Sequence, residues 1–104
     1  LLKSEKRIQW SDSAAVIARR LRAFTPFPGL EFHRGADVVK VWSATAEDAD
    51  TGLIGEVLSI EHDLVVRCGV GALHITELQR PGKTRSSAQA AVQGLHLQKG
   101  EVLQ

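Results

Sequence analysis

A single cysteine, Cys68, stands in the 104-residue sequence, so no internal disulfide framework can form. It ends the apolar run Leu64 to Cys68, where a buried strand thiol is expected rather than a nucleophile. So little cysteine suits a reducing compartment, and a cytoplasmic setting is expected. Aromatic residues are scarce at 5%, which favours packing over base stacking as the work of Trp10 and Trp42. No apolar stretch is long enough to cross a bilayer as a helix. The opening LLKSEKRIQW lacks the uninterrupted apolar region of a secretory signal. No membrane partner is therefore expected. Clustered metal ligands are missing too: His33, His62, His74 and His96 are scattered, and His62 between Glu61 and Asp63 reads as a solvated turn residue. Cys68 and His74 could face each other across Gly69 to Gly71, but a nucleophilic pair also needs a cleft and an orienting third group. Gly69-x-Gly71 has neither the spacing of a phosphate loop nor a helix after it. The sequence thus assigns no catalytic residue and no metal ligand.

What is present is an ordinary globular balance, 43% apolar and 24% charged, over a length that makes one small domain, residues 1–104. The net charge is only +1, but it is unevenly spread. Residues 1–24 carry six basic and two acidic side chains, residues 25–78 three basic and nine acidic, and residues 79–104 four basic and one acidic. Positive charge gathers at the two ends, and the fold could bring those ends together. Polyanion binding follows local potential more than the total. The same residues could also be solubilising side chains on two surface helices.

Residues 1–10 read as a linker-like leading segment. A helix is expected over 11–24, capped by Ser11 or Ser13, with Val16, Ile17, Leu21 and Phe24 as its apolar stripe. Pro26 and Pro28 stop it and Gly29 frees the turn, with Phe24 and Phe27 expected to clamp helix to sheet. From Leu30 the period changes. Strands are expected at Leu30 to Arg34, Val38 to Ala46, Gly55 to Ile60, Leu64 to Cys68 and Ala72 to Gln79. Leu78 breaks the alternation of the last one and points to a bulge near Glu77. Ser86 or Ser87 should cap a short closing helix, 86–94, and Leu97 and Val102-Leu103 could pack back from an irregular tail. Five short strands over residues 30–80 predict a mainly β fold, an antiparallel barrel closed or partly open.

Several stretches carry a resemblance. Trp10-Ser11, Ser13-Ala14 and Arg22-Ala23-Phe24-Thr25-Pro26-Phe27-Pro28-Gly29 resemble the opening of the C-terminal domain of the methionyl-tRNA formyltransferase family. Val39-Lys40-Val41-Trp42 resembles that family's second strand, and Leu78 to Lys83 with Ser87-Ala88-Gln89 its last strand and closing helix. The resemblance runs from about Lys3 to Gly100. It selects a small OB-like barrel, with a helix at each end, over a sandwich. It implies a domain that contacts initiator tRNA electrostatically while a separate N-terminal catalytic domain transfers the formyl group from 10-formyltetrahydrofolate. No cofactor is expected in the chain itself. Gln9 departs from the acidic residue common in the family. The acidic loop Glu47 to Asp50 should face away from RNA.

On that reading the candidate RNA-binding residues are Lys3, Lys6 and Arg7 in the leading segment, Lys40 on the second strand, and Lys83 and Arg85 in the last loop. Gly82-Lys83-Thr84-Arg85 is the leading candidate, against an ordinary polar turn. Arg19, Arg20 and Arg22 read as surface or interface residues, and Arg22 could instead bond to the Pro26 to Pro28 turn. Two other readings stay open. One is a structural module that packs on a catalytic domain or on its own copy, marked by an exposed apolar patch. The other is the related domain of a sugar-nucleotide or folate-metabolising formyltransferase with no RNA partner, against which the wording from Ala23 to Gly29 argues.

Overall fold

The Ser13 hydroxyl oxygen accepts from the Val16 amide at 3.2 Å and opens helix α1, Ala14–Phe24. The computed structural model describes residues 3–104, with side chains from residue 5 onward, so residues 1 and 2 of the leading segment lie outside the described residues. The buried face of α1 is Ala14, Ile17, Ala18 and Leu21, with Phe24 packed at its edge. Val16 is only half-buried, and the two alanines take its place, letting the helix lie close to the sheet. Thr25 ends the helix, its amide and its hydroxyl both donating to the Leu21 carbonyl at 3.0 and 2.6 Å. Pro26 has no N–H to continue the ladder. Both X–Pro bonds of the turn, Thr25–Pro26 and Phe27–Pro28, are cis. Phe27 clamps nothing: it is 85% exposed, and the contact with the core falls to Phe24 alone.

Six strands follow: β1 (Leu30–Arg34), β2 (Asp37–Glu47), β3 (Val57–Ser59), β4 (Leu64–Arg67), β5 (Ala72–Gln79) and β6 (Arg85–Ser87). Their antiparallel order is β1-β2-β5-β4-β3. β5 is the spine. One edge pairs with β2; on the other, β4 faces Ala72 to Ile75 and β6 faces Glu77 to Gln79. β6 is a departure from the expected loop and helix start: Arg85 and Ser86 are strand, and the closing helix α2 is Ala88–Leu95. Ser87 caps it, accepting from the Ala90 amide at 3.2 Å. The third strand is also shorter than expected, since Gly55 and Ile60 lie outside it. The bulge foreseen near Glu77 is real. The register steps from Val41↔Leu78 to Ser43↔Glu77 to Ala44↔Ile75, skipping Trp42 on β2 and Thr76 on β5.

The sheet curls into a half-barrel rather than closing, because β1 and β3 do not pair. The chain's ends cover the seam. The Ile8 amide donates to Glu31 at 2.8 Å beside β1. The tail runs along β3: the Val57 amide donates to the Glu101 carbonyl at 2.7 Å, and the Leu103 amide donates to Gly55 at 2.8 Å. Arg34 joins the two sides, donating to the Glu101 carboxylate and, at 2.6 Å, to the Leu95 carbonyl at the end of α2. Leu97 and Leu103 are buried, whereas Val102 stays 47% exposed. The expectation that the ends meet is thus met: Arg7 and residues 101–104 line one cavity of about 450 Å³.

Phe32, Val39, Val41, Leu73, Ile75 and Leu78 fill the core, all at 0% exposure. Trp10 joins them, its ring centre 6.0 Å from that of Phe32. Cys68 is fully buried and its thiol turns to the Val66 carbonyl. His74 points instead at Asp63 and Glu47, so the Cys68–His74 pair does not form. Among the described residues no helix is long and apolar enough to cross a membrane.

Candidate nucleic-acid interface

Residues opposed across an antiparallel ladder stand on the same face of the sheet. Lys40 is opposed by Glu31 on β1 and by Gln79 on β5, and Gln79 is opposed by Arg85 on β6. Arg7 forms an isolated parallel bridge with Glu31. Arg7, Glu31, Lys40, Gln79 and Arg85 therefore form one row across the half-barrel. Their chain neighbours Ile8, Leu30, Phe32, Val39, Val41 and Leu78 are buried, so the row lies on the opposite, solvent-facing side. Four interstrand steps give it a length of about 19 Å.

Alternation along β2 puts Trp42 on the same face as Lys40. The Lys40 ammonium lies 4.0 Å, and the Arg85 guanidinium carbon 4.7 Å, from the Trp42 ring centre. The Trp42 indole N–H donates to Gln79 Oε1 at 2.9 Å. The packing role expected of this tryptophan is therefore half right: its ring is half-buried, but beneath two cations rather than in the core. Lys40 also donates to the Pro26 carbonyl at 2.8 Å. It reaches there across Gly29, where a Cβ would come within 2.7 Å of Lys40 Cε. That close approach, with a φ of +82°, is what the position asks of glycine. The Gln79 amide donates to the Lys83 carbonyl at 3.0 Å, tying the Lys83 loop to the row and leaving the Lys83 side chain exposed.

Carboxylates interrupt the positive charge. The Arg85 guanidinium donates to both oxygens of Glu77, at 2.7 and 3.1 Å, and the Ser43 hydroxyl donates to the same group at 2.8 Å. These bonds, Arg85 first and Ser43 second, hold the Glu77 carboxyl below its ordinary range. Glu31 accepts from or faces the His33 ring at 3.2 Å. The acidic loop begins seven residues along β2 from Lys40, about 23 Å of extended strand away, where Glu47 meets His74 instead.

Of the six candidates, Arg7, Lys40 and Arg85 share the row, and Lys83 hangs on the adjoining loop. Lys6 is half-buried in a 3-10 turn, Lys3–Lys6, off the row. Lys3 heads that turn, and its side chain lies outside the described residues. Arg20 is structural, donating to the Glu5 carbonyl at 2.8 Å, while Arg19 and Arg22 are exposed on α1. The Pro26 to Pro28 turn is held by Lys40, not by the Arg22 contact considered above. Glu77, Gln79 and Ser43 were not foreseen. Only the Lys40-x-Trp42 alternation was visible along the chain, because cross-strand partners depend on register.

Comparison with known proteins points one way. The family model described as formyl transferase, C-terminal domain, matches residues 1–96. The methionyl-tRNA formyltransferase of Acidovorax ebreus is 44% identical over 106 residues, covering 97% of this chain and 33% of that protein. The methionyl-tRNA formyltransferase of Neisseria meningitidis serogroup C is 47% identical over 104 residues, covering 99% and 33%. The chain thus spans about a third of the length of these relatives. Among solved structures, HypX from Aquifex aeolicus in complex with tetrahydrofolic acid superposes with a TM-score of 0.77 at 17% identity, over 100% of this chain and 21% of that one. At that identity the likeness speaks for the fold.

Proposed function

Because the chain belongs to the formyl transferase C-terminal domain family, we propose that it is the accessory, tRNA-positioning part of a cytoplasmic methionyl-tRNA formyltransferase. The observation that carries this reading is the row: three cations from distant parts of the sequence, Arg7, Lys40 and Arg85, lie on one solvent-facing side of the sheet, with Lys83 beside them. A row of fixed cations supplies phosphate contacts, which orient a polyanion and add affinity without reading sequence. The row holds its cations in place before RNA arrives, Lys40 through the Pro26 carbonyl and Trp42, Arg85 through Trp42 and Glu77. Discrimination of the initiator and the chemistry of formyl transfer are assigned to a catalytic portion outside this chain.

The folate donor, 10-formyltetrahydrofolate, belongs to that portion on the same reading. The residues here do not suit it. The cavity at the seam, about 450 Å³, is lined by Arg7, His33, Arg34, Glu101 and their neighbours, with no Trp, Tyr or Phe side chain to stack on a pterin.

Titration with initiator tRNA at low and moderate salt tests the proposal. The expected result is weak binding that falls as salt rises, with a slope of log affinity against log salt reduced by about two in a Lys83→Ala/Arg85→Ala double variant. Absence of binding even at low salt would remove the RNA role and leave a structural module. One observation favours that second reading. Leu53, Ile54 and Val102 are 67%, 50% and 47% exposed, and the bridge between Glu56 and Val102 brings them to one end of the half-barrel.

A further inference from the structure

Five aromatic rings occur in this chain, and four have a partner in the fold. Trp10 and Phe32 pack together in the core, Phe24 packs against it, and Trp42 lies by Lys40 and Arg85 with its N–H given to Gln79. With both of its nearest cations already on the ring, Trp42 makes a poor platform for a base. Phe27 is the exception, 85% exposed at the tip of the turn after α1.

Its mount is stiff. Prolines on both sides fix their own φ angles. The Gly29 amide closes the turn on the Phe24 carbonyl at 2.9 Å, and the Lys40 ammonium holds the Pro26 carbonyl at 2.8 Å. The turn that carries the ring is therefore tied to the cation at the middle of the row. Such a mount has little freedom left to lose when a ligand arrives. An exposed apolar ring on a turn tied to a cation of the row suits one ligand chemistry above others: an unpaired nucleotide, whose base stacks on the ring while its phosphate meets the ammonium. A protein hot spot, by contrast, is ringed by a wider set of apolar contacts, and here the ring's own neighbours are two prolines and the side chain that ties the turn to the sheet is a lysine.

We propose that Phe27 is a stacking platform for an unpaired nucleobase of an RNA lying along the Arg7–Lys40–Arg85 row. The inference deepens the tRNA-positioning reading and rests on it. It adds a preference that phosphate contacts cannot give, since base faces are available in loops and single-stranded ends but not inside a duplex.

The test compares the wild-type chain, Phe27→Ala and Phe27→Trp for binding to a short oligoadenylate and to an RNA duplex of equal length, across a range of salt. The expected result is that Phe27→Ala weakens oligoadenylate binding about tenfold and leaves duplex affinity and the salt slope unchanged, while Phe27→Trp restores or strengthens it. An unchanged melting temperature, expected for so exposed a side chain, shows that the fold is intact. If the wild type binds both RNAs and Phe27→Ala alters neither, or weakens both alike, the stacking role is overturned and the row survives. If the same variant instead loosens contact with the catalytic portion of the full-length enzyme and leaves RNA binding intact, the ring serves a protein contact and the inference is again overturned. If the wild type binds neither RNA, the tRNA-positioning reading falls and takes the inference with it.

Discussion

His74 lies between two carboxylates, Nε2 at 2.7 Å from Asp63 and Nδ1 at 3.3 Å from Glu47. A neutral imidazole has one N–H and can donate to only one of them, whereas the imidazolium can serve both. The Asp63 hydrogen bond is the largest cause that raises its pKa above the ordinary 6.5, with burial opposing and Glu47 assisting. The sign follows from linkage. A raised folded pKa gives stability that is fully present below the unfolded value and is lost as pH rises through the folded one. Denaturant midpoints should therefore fall as pH rises from about 6 through the raised pKa, and His74→Gln should flatten that fall. A His74 ring that titrates at its unfolded value by NMR would sink the idea. Cys68 illustrates the opposite case. Desolvation pushes its thiol up to about 11, so it stays protonated and is a packing group, in keeping with its place in an apolar run.

Between elements, the geometry of β5 and β6 sets what the row can offer. Glu77 and Ser87 are opposed, as are Gln79 and Arg85, and Arg85 leans back along the strand to clasp Glu77. A carboxylate held by a guanidinium through two oxygens has the shape of the phosphate contact it would give way to. Glu77→Gln should then raise the affinity for tRNA several-fold, because Arg85 no longer has to leave a carboxylate to reach a phosphate. An unchanged affinity in that variant would mean that Arg85 does not meet phosphate. The elements also differ in how far the chain disclosed them. α1 was readable because its cap, its stripe and its two prolines are all local. β5 came out residue for residue because alternation and a hairpin link bound it at one end. β6 was hidden: Arg-Ser-Ser has no periodic pattern, and those three residues become a strand only because β4 begins at Leu64, opposite Ile75, and leaves the second half of β5 unpaired. Trp42 was only half legible for a related reason, since a bulge, Lys40 on its own strand and Arg85 on β6 hold it half-buried on the outer face.

For the whole molecule, closure matters most. The half-barrel leaves β1 and β3 apart, and a bare sheet edge is a liability. Here the leading segment covers β1 and the tail covers β3, with Arg34 joining tail, α2 and β1. Arg34→Ala should lower stability by about 2 kcal/mol, since it strips charge-assisted bonds from Glu101 and from the last carbonyls of α2. Amide exchange should quicken at residues 100–103 before it does on β4 and β5. Equal stability, with no change in tail exchange, would show that the tail holds its place without Arg34. The same closure bears on function, because it sets Arg7 against Glu31 and so adds one end of the chain to a row whose other cations come from β2 and β6.

Local chemistry along the chain was enough to fix the mainly β class, the capped helices, the five principal strands and the surplus of positive charge toward the two ends. Each of these depends on residues a few positions apart, where period, caps and breakers act directly. The line through Arg7, Lys40 and Arg85, the clasp on Glu77, the surface place of Trp42 and the bare ring of Phe27 came from the folded sheet. They depend on strand register and on which segment fills each open edge, and those are settled by side chains packing against partners dozens of residues away.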